Sequence, residues 1–302
     1  MLEGDRSRCM PILDCHTHFF PEGLFQAIWR WFDEYGWNIR YKIPAEEVVT
    51  QLQSIGVQRM VLLNYAHKPG MSLALNQWTY AFAKKHPEIL PFGTLHPHDD
   101  KPLSILHQCF HEFGFYGIKL HAHVLGMAID DPVFFPIYEK IEEEGKVLTL
   151  HAGTGPSLKG YSKKTTHVAG AHRVSILLKR FPRLKLIIPH LGADEYEAFF
   201  DLMEEHPHLW MDTTMTFADY FPRPPLERIS KLADRLLYGS DTPNIPYELG
   251  IEIRNIQKWL PHDIQEKIFW TNAHRLFEIT EVKGHRVSCE RQSGSLPDNK
   301  GQ

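Results

Sequence analysis

The chain has 302 residues, and its 33 lysines and arginines against 37 aspartates and glutamates leave a formal charge of −4. Because the charges are balanced and the basic residues do not cluster, the composition argues against a nucleic-acid partner. No run approaches the roughly 18 apolar residues that a membrane span needs, so we expect no membrane partner either. The N-terminus lacks the apolar core of a signal peptide, and the sequence therefore predicts a soluble, cytoplasmic protein.

The length and the cysteine pattern favour one reduced domain. Because α/β barrels routinely build a single domain from about 250 residues, we predict one domain over residues 1–281. Residues 282–302 are polar and rich in glycine and serine, which predicts a disordered tail. The cysteines form neither a metal-binding pattern nor a dense disulfide framework, so we expect free thiols. They are Cys9, Cys15, Cys109 and Cys289.

Short apolar segments alternate with amphipathic segments along the chain, which is typical of βα units and a parallel sheet. The apolar segments have few polar residues in their interiors, as in strands covered on both faces. In chain order, the predicted strands are 10–18, 59–65, 90–96, 116–123, 146–153, 185–192, 209–214 and 235–241. The clearest predicted helices are 45–56, 74–88, 134–146 and 173–182. This alternation predicts a (β/α)8 TIM barrel, whose active site forms at the C-terminal ends of its strands.

One segment lies outside this plan. Residues 19–43 follow the first predicted strand, are rich in aromatic residues and are too long for a simple loop between a strand and a helix. We expect this insertion to line or cover the pocket. A hydrophobic cluster apart from the site is the alternative interpretation.

Metal-binding residue types gather where the predicted strands end. His16 and His18 point to the same side of the first strand, so both can bind one ion. This signal alone is weak, because the chain holds 19 histidines and three further His-x-His pairs. It gains weight from the residues that end the fifth, sixth and eighth strands, which are His151, His190 and Asp241.

The ordered motifs resemble a known family. They are DCHTHFFPE, FGTLHPH, GIKLHAH, LTLHAG, FPRLKLIIPHLG, LLYGSDTP and IFWTNAHRLFEI, which together span about residues 10–280. In this order they resemble the amidohydrolase superfamily, and most closely its amidohydrolase-related branch, which includes aminocarboxymuconate-semialdehyde decarboxylase. The motifs are specific for the family and much less specific for the substrate.

The resemblance implies a single divalent ion, usually Zn²⁺, held by His16, His18, His151 and Asp241. Nitrogen ligands with one carboxylate suit Zn²⁺ and leave a position for water, whose pKa the ion lowers toward about 7. The catalytic residues would then be Asp241, which takes the proton of the water, and His190, which positions the water or stabilises developing charge.

Three further residues are candidates for substrate binding or for a second ion: Lys119, His121 and Arg40. Dinuclear relatives carry a carboxylated lysine at the position of Lys119, but the closer branch is mononuclear. His121 ends the fourth strand and either faces the pocket or lies in a surface loop. Arg40, in the aromatic insertion, offers a bidentate fork for a substrate carboxylate.

The sequence favours a metal-dependent hydrolase that uses an activated water on the amide, lactone or related bond of a small cyclic or aromatic substrate. A non-oxidative decarboxylase, a carboxy-lyase of the same branch, is the alternative, since the two chemistries share one ligand set. An inactive metal-binding scaffold is a minor third option. The oligomeric state stays open, with a homodimer among the options.

Overall fold

In the computed structural model, residues 10–279 are the part of the chain whose structure is described. Eight strands in this part form one parallel sheet in which neighbours along the chain are neighbours in the sheet. The strands are β1 (Ile12–Thr17), β2 (Val57–Leu62), β3 (Ile89–Thr94), β4 (Gly117–His121), β5 (Val147–His151), β6 (Lys185–Ile188), β7 (Leu209–Asp212) and β8 (Leu236–Leu237). Each predicted strand is therefore found, although β8 is shorter than predicted.

The sheet closes between its first and last strands. The Cys15 amide donates to the Tyr238 carbonyl, and the Asp241 amide donates to the His16 carbonyl, each at 2.8 Å. A third amide, that of His18, donates to the Thr242 carbonyl at the same distance. These bonds continue the ladder past the end of β8 and confirm the predicted (β/α)8 TIM barrel.

Helices connect the strands on the outside of the sheet. In chain order they are α1 (Glu22–Tyr35), α2 (Ala45–Ser54), α3 (Ser72–Lys85), α4 (Pro102–His107), α5 (Ala122–Leu125), α6 (Phe135–Glu143), α7 (Ala171–Arg180), α8 (Tyr196–Glu205), α9 (Leu226–Leu232), α10 (Ile251–Trp259), α11 (His262–Glu266) and α12 (Asn272–Leu276). The four helices predicted most clearly correspond to α2, α3, α6 and α7. None of the helices in residues 10–279 is long and apolar enough to cross a membrane.

Buried apolar side chains join the strands to the last helix. One core cluster contains strand residues such as Leu90, Val147 and Leu237 together with Ala273 and Leu276 of α12. His121, His151 and Asp212 are the last residues of β4, β5 and β7, so polar side chains gather at the C-terminal end of the barrel, as in other barrels of this type.

Two sequence-based expectations fall partly or wholly outside the described residues. Cys15 and Cys109 are buried free thiols, whereas Cys9 and Cys289 lie outside. The predicted tail, 282–302, also lies outside.

Candidate metal centre

Three predicted ligands meet at the seam between β1 and β8. The potential ligand atoms of His16, His18 and Asp241 all lie within 4.8 Å of one another, and the three residues are buried. One carboxylate oxygen of Asp241, Oδ1, is 2.8 Å from His18 Nε2 and 3.6 Å from His16 Nε2. Two imidazole nitrogens and a carboxylate oxygen therefore converge on one point.

Hydrogen bonds fix which nitrogen each of these histidines presents. His18 Nδ1 lies 2.8 Å from the Leu63 carbonyl oxygen, and His16 Nδ1 lies 2.8 Å from Asp212 Oδ2. Because a carbonyl or a carboxylate oxygen only accepts, Nδ1 donates in both rings, and Nε2 is the nitrogen that each ring turns toward Asp241; in a neutral His16 ring that Nε2 keeps its lone pair. Burial lowers the pKa of His16 to about 4, so this ring is neutral near pH 7. The donor set therefore fits a divalent ion.

Asp212, at the end of β7, organises the centre without lining its cavity. Besides His16, it accepts hydrogen bonds at Oδ1 from the amides of His190 (3.0 Å) and Thr214 (3.2 Å). Burial by itself would raise the pKa of this carboxyl, but the attraction and hydrogen bond of His16 hold it well below its ordinary value. Asp212 is thus an ionised acceptor that orients His16, as partners of metal histidines commonly do.

Two site residues have left-handed backbone conformations. His190 has φ 58° and ψ 26°, and Asp241 has φ 59°. Such angles are uncommon outside glycine and persist where the surroundings enforce them. The turn after His190 continues through Gly192, where an added Cβ would lie 2.2 Å from the Phe199 ring. Only glycine fits there, so the HLG motif sets the position of His190.

The His190 ring lies beside the centre with one nitrogen free. Its Nδ1 lies 3.3 Å from the Thr214 carbonyl oxygen, which makes Nδ1 the protonated nitrogen and Nε2 the free one. The ring borders the same cavity as His16, and the two ring centroids are 5.5 Å apart. Burial lowers the pKa of His190, while the nearby Asp241 and Asp212 carboxylates oppose that shift.

A second group of buried histidines lies beside the first. Ligand atoms of His121, His123 and His151 lie within 4.8 Å of one another, and the rings of His121 and His151 stack at 4.0 Å. His123 Nε2 lies 3.0 Å from the Gly153 carbonyl oxygen, whereas Nδ1 of His123, Nδ1 of His121 and Nε2 of His151 lack a hydrogen-bond partner. Burial, and then their mutual repulsion as cations, holds the pKa of His121 and His151 well below the ordinary value.

His151 therefore lies between the two groups of potential ligands. It lines the same cavity as His16, His18, Asp241 and His190, yet its nearest histidine is His121. The predicted four-residue ligand set lines one cavity, and three of the four form one compact group.

Neither Lys119 nor Arg40 lines the cavity. The Lys119 side chain is fully buried, its Nζ lacks a hydrogen-bond partner, and burial lowers its pKa to about 8. It does not line the cavity. Arg40 is exposed, and its guanidinium lies 5.8 Å from the centre of the Tyr41 ring. Of the three softer candidates, only His121 borders the cavity.

Aromatic residues form most of the rest of the cavity wall, beside Pro156 and Asn244. Phe32 and Trp37 come from the insertion at 19–43, while Tyr65 follows β2 and Tyr161 lies in the loop after β5. Trp37 is held by a 2.7 Å hydrogen bond from its indole nitrogen to the Asn244 carbonyl. The sequence pattern did not single out Tyr65 or Tyr161. Tyr65 was detectable as the last residue of a predicted strand, but Tyr161 has no such signal.

Comparison with known proteins agrees with this architecture. The family model described as Amidohydrolase matches residues 13–279. The chain belongs to this amidohydrolase family.

Solved structures of the same fold include three decarboxylases. The 5-carboxyvanillate decarboxylase of Sphingomonas paucimobilis is 17% identical over 90% of this chain and 100% of that chain, with a TM-score of 0.62. The 2,6-dihydroxybenzoate decarboxylase of Rhizobium is 20% identical over 89% and 99%, with a TM-score of 0.66. The dihydroxybenzoic acid decarboxylase of Polaromonas sp. JS666, with bound manganese and the inhibitor 2-nitroresorcinol, is 19% identical over 89% and 97%, with a TM-score of 0.67. At this identity the similarity shows the fold.

Proposed function

We propose that this protein is a metal-dependent, non-oxidative decarboxylase of an aromatic carboxylic acid. The observation that carries the proposal is a buried His/His/Asp group beneath a cavity walled by aromatic side chains. The structural relatives named above act on aromatic acids, which supports the same chemistry here. The sequence favoured hydrolysis of an amide or lactone, and the comparisons support its alternative better.

The residues that would hold the ion are His16, His18 and Asp241, with His151 as the proposed fourth ligand from the same cavity wall. When bound, a divalent ion there supplies positive charge that attracts the substrate's acidic oxygens. The histidine nitrogens and the carboxylate suit Zn²⁺, and the manganese in a structural relative supports Mn²⁺ as well.

Aromatic walls favour the loss of a carboxylate charge. The rings of Phe32, Trp37, Tyr65 and Tyr161 line the cavity and would displace water from a substrate carboxylate held there. Burying a charged group in apolar surroundings is unfavourable, whereas neutral CO₂ carries no such penalty. Phe32, Tyr65 and Tyr161 also line the larger space that adjoins this cavity, where they can hold an aromatic ring in place by stacking.

The reaction breaks the bond between the ring carbon and the carboxylate carbon, and the electron pair stays on the ring carbon. A proton must then reach that carbon, so that the acid yields CO₂ and the unsubstituted ring. We assign delivery of this proton to His190, a residue that lines the cavity, whose free Nε2 first takes up a proton from solvent and then passes it to the ring carbon. Asp241 and Asp212 attract a proton to this ring, and the Thr214 carbonyl holds its other nitrogen in position.

The test is a substrate panel on protein loaded with Mn²⁺ or Zn²⁺. Hydroxylated benzoates, lactones and amides are supplied, and CO₂ release is measured beside chromatography of the products. We expect CO₂ and the decarboxylated product to form in equal amounts, and we expect His18→Ala to form neither. His98→Ala is the matched control, since His98 is exposed and does not line the cavity. Hydrolysis of a lactone or an amide without any CO₂ would overturn the proposal.

A further inference from the structure

A second, larger chamber adjoins the metal-centre cavity. It is lined on one side by α1, through Leu24, Ile28, Trp31 and Phe32, and on the other by Val124, Gly160, Tyr161 and Ser162. The two spaces share part of their walls, namely Phe32, Tyr65, His121 and Tyr161. A molecule that reaches into the metal centre can therefore extend into the chamber.

Close contacts hold α1 against the loop that follows β5. The rings of Trp31 and Tyr161 have centroids 5.3 Å apart. At Gly160 an added Cβ would lie 2.6 Å from the Trp31 ring, so the loop backbone runs directly beneath this side chain. Most of the apolar side chains on the chamber side of α1 stay partly exposed, while Phe25 packs into the core. They thus form an apolar wall that faces open space.

Volume decides what each space accepts. The metal-centre cavity offers about 30 Å³ and the chamber about 310 Å³. A cavity of about 150 Å³ encloses a benzene molecule. The smaller space therefore accepts a carboxylate but no ring, whereas the chamber has room for a ring and a second group of similar size.

Charge decides which second group fits. Among the described residues, no lysine, arginine, aspartate or glutamate lines the chamber, and Asp241 is the only charged residue lining the metal-centre cavity. The polar atoms of the chamber wall belong to neutral groups such as Ser162 and to histidines such as His67, whose pKa is lowered by burial. A carboxylate or phosphate there would give up part of its hydration without a lysine or arginine to pair with, which is unfavourable.

We propose that the chamber binds the apolar part of the substrate, and that the substrate is an aromatic acid whose ring carries a second, uncharged apolar group of about ring size. The acid group occupies the metal centre and the apolar group lies against Leu24, Ile28 and Trp31. This inference rests on the proposed decarboxylase function and narrows its substrate class.

The experiment compares three kinds of acid on the metal-loaded enzyme: 2-hydroxybenzoate, phenyl-substituted 2-hydroxybenzoates, and 2-hydroxybenzoates with a second carboxylate. We expect kcat/KM for the best phenyl-substituted acid to exceed that of 2-hydroxybenzoate at least about tenfold, because even one methylene in an apolar pocket is worth roughly 10-fold. The doubly charged acids should be poorer than 2-hydroxybenzoate.

A variant ties the effect to the chamber. Ile28→Trp fills the space from α1, so the ratio of kcat/KM between the phenyl-substituted acid and 2-hydroxybenzoate should fall about tenfold or more. Ile176→Trp on α7 is the matched control, since Ile176 is 49% exposed and lies outside both spaces. It should leave both values unchanged.

Binding measured by calorimetry separates this inference from the proposed function. Suppose that the phenyl-substituted acid binds tightly to the parent protein and more weakly to Ile28→Trp, but that no CO₂ forms. The proposed role of the chamber is then correct, and the decarboxylase function is wrong. If 2-hydroxybenzoate or another single-ring acid is decarboxylated as well as any larger acid, the function stands and the inference is wrong. Absence of binding by every phenyl-substituted acid also overturns the inference.

Discussion

Asp212 determines how His16 can act as a ligand. One carboxylate oxygen, Oδ1, is occupied by the amides of His190 and Thr214, so only Oδ2 is available to His16 Nδ1. If Asn replaces Asp212, its amide oxygen must stay at the Oδ1 position, because both backbone amides donate there. Its NH₂ group must then face His16.

We therefore expect Asp212→Asn to weaken metal binding about 10- to 100-fold, the usual range for partners of metal histidines. The new NH₂ group would donate to His16 Nδ1, move the ring hydrogen to Nε2 and remove the lone pair that faces the ion. Competition with a coloured chelator measures the affinity. Asp201→Asn, at an exposed position on α8, is the control. Unchanged affinity in Asp212→Asn would contradict the assigned tautomer.

His190 and His151 are distinguished by what each substitution removes. If His190 acts on substrate, His190→Ala keeps nearly all the metal while kcat falls about 100-fold or more, the scale of losing an acid/base group. If His151 is the fourth ligand, His151→Ala loses metal and activity together, because an incomplete shell binds the ion weakly. Elemental analysis and one active substrate suffice. Equal metal loss in both variants would make His190 a ligand. Two equivalents of metal in the parent protein would mean that the His121–His123–His151 group also binds an ion.

Among the elements, α10 begins with a buried acid. Glu252, in the first turn of this helix, is only 2% exposed. Its Oε2 accepts a hydrogen bond from the Tyr247 hydroxyl at 3.2 Å, whereas its Oε1 lacks a hydrogen-bond partner. Burial, and then repulsion from Asp14, raises the pKa of Glu252 well above its ordinary value of 4.5. Over a range of pH above 4.5, this carboxyl therefore stays protonated in the folded protein but is ionised in the unfolded chain.

This difference sets the sign of a pH effect on stability. The folded state holds one more proton above pH 4.5, so the free energy of unfolding falls as pH rises from 4.5 toward the folded pKa. Glu252→Gln has no such proton, and we expect its Tm to exceed that of the parent by a few degrees at pH 8 and to match it near pH 4. Glu248→Gln, an exposed neighbour that pairs with Arg254, is the control. A gap that does not grow with pH would refute the assignment.

Most of the strands and part of the candidate site could be predicted from the sequence. All eight strands were predictable because parallel strands buried on both faces carry their own apolar signal, as in β5 and β6. The positions of His16, His18 and Asp241 follow from those strands, since their C-terminal ends meet at one rim. By contrast, the stacking of His121 on His151 depends on side-chain rotamers. The chamber depends on how α1 packs against Tyr161, which is more than 120 positions away in the chain.

At the scale of the whole molecule, the candidate metal centre lies across the seam that closes the barrel. β8 has only two residues in the regular sheet, and the chain beyond it is tied to β1 by the amides of Asp241 and His18. An ion held by His16 and His18 on one side and by Asp241 on the other would join the same two segments. Metal binding and closure of the barrel should therefore be coupled.

We expect removal of the ion to destabilise the whole barrel. A ligand that binds only the folded state stabilises it by about 4 kcal/mol when present at 1,000 times its Kd, and each kcal/mol moves Tm by roughly 2–4 °C in a domain of 150–250 residues. Differential scanning calorimetry of the metal-loaded and chelator-treated protein should thus show a Tm lower by several degrees after treatment. His18→Ala should show the low Tm under both conditions, because it lacks a ligand, whereas His98→Ala should respond like the parent. If chelation strips the metal and leaves the Tm of the parent unchanged, the ion does not join β1 to the segment after β8, and the His16–His18–Asp241 group has to be given up as its site.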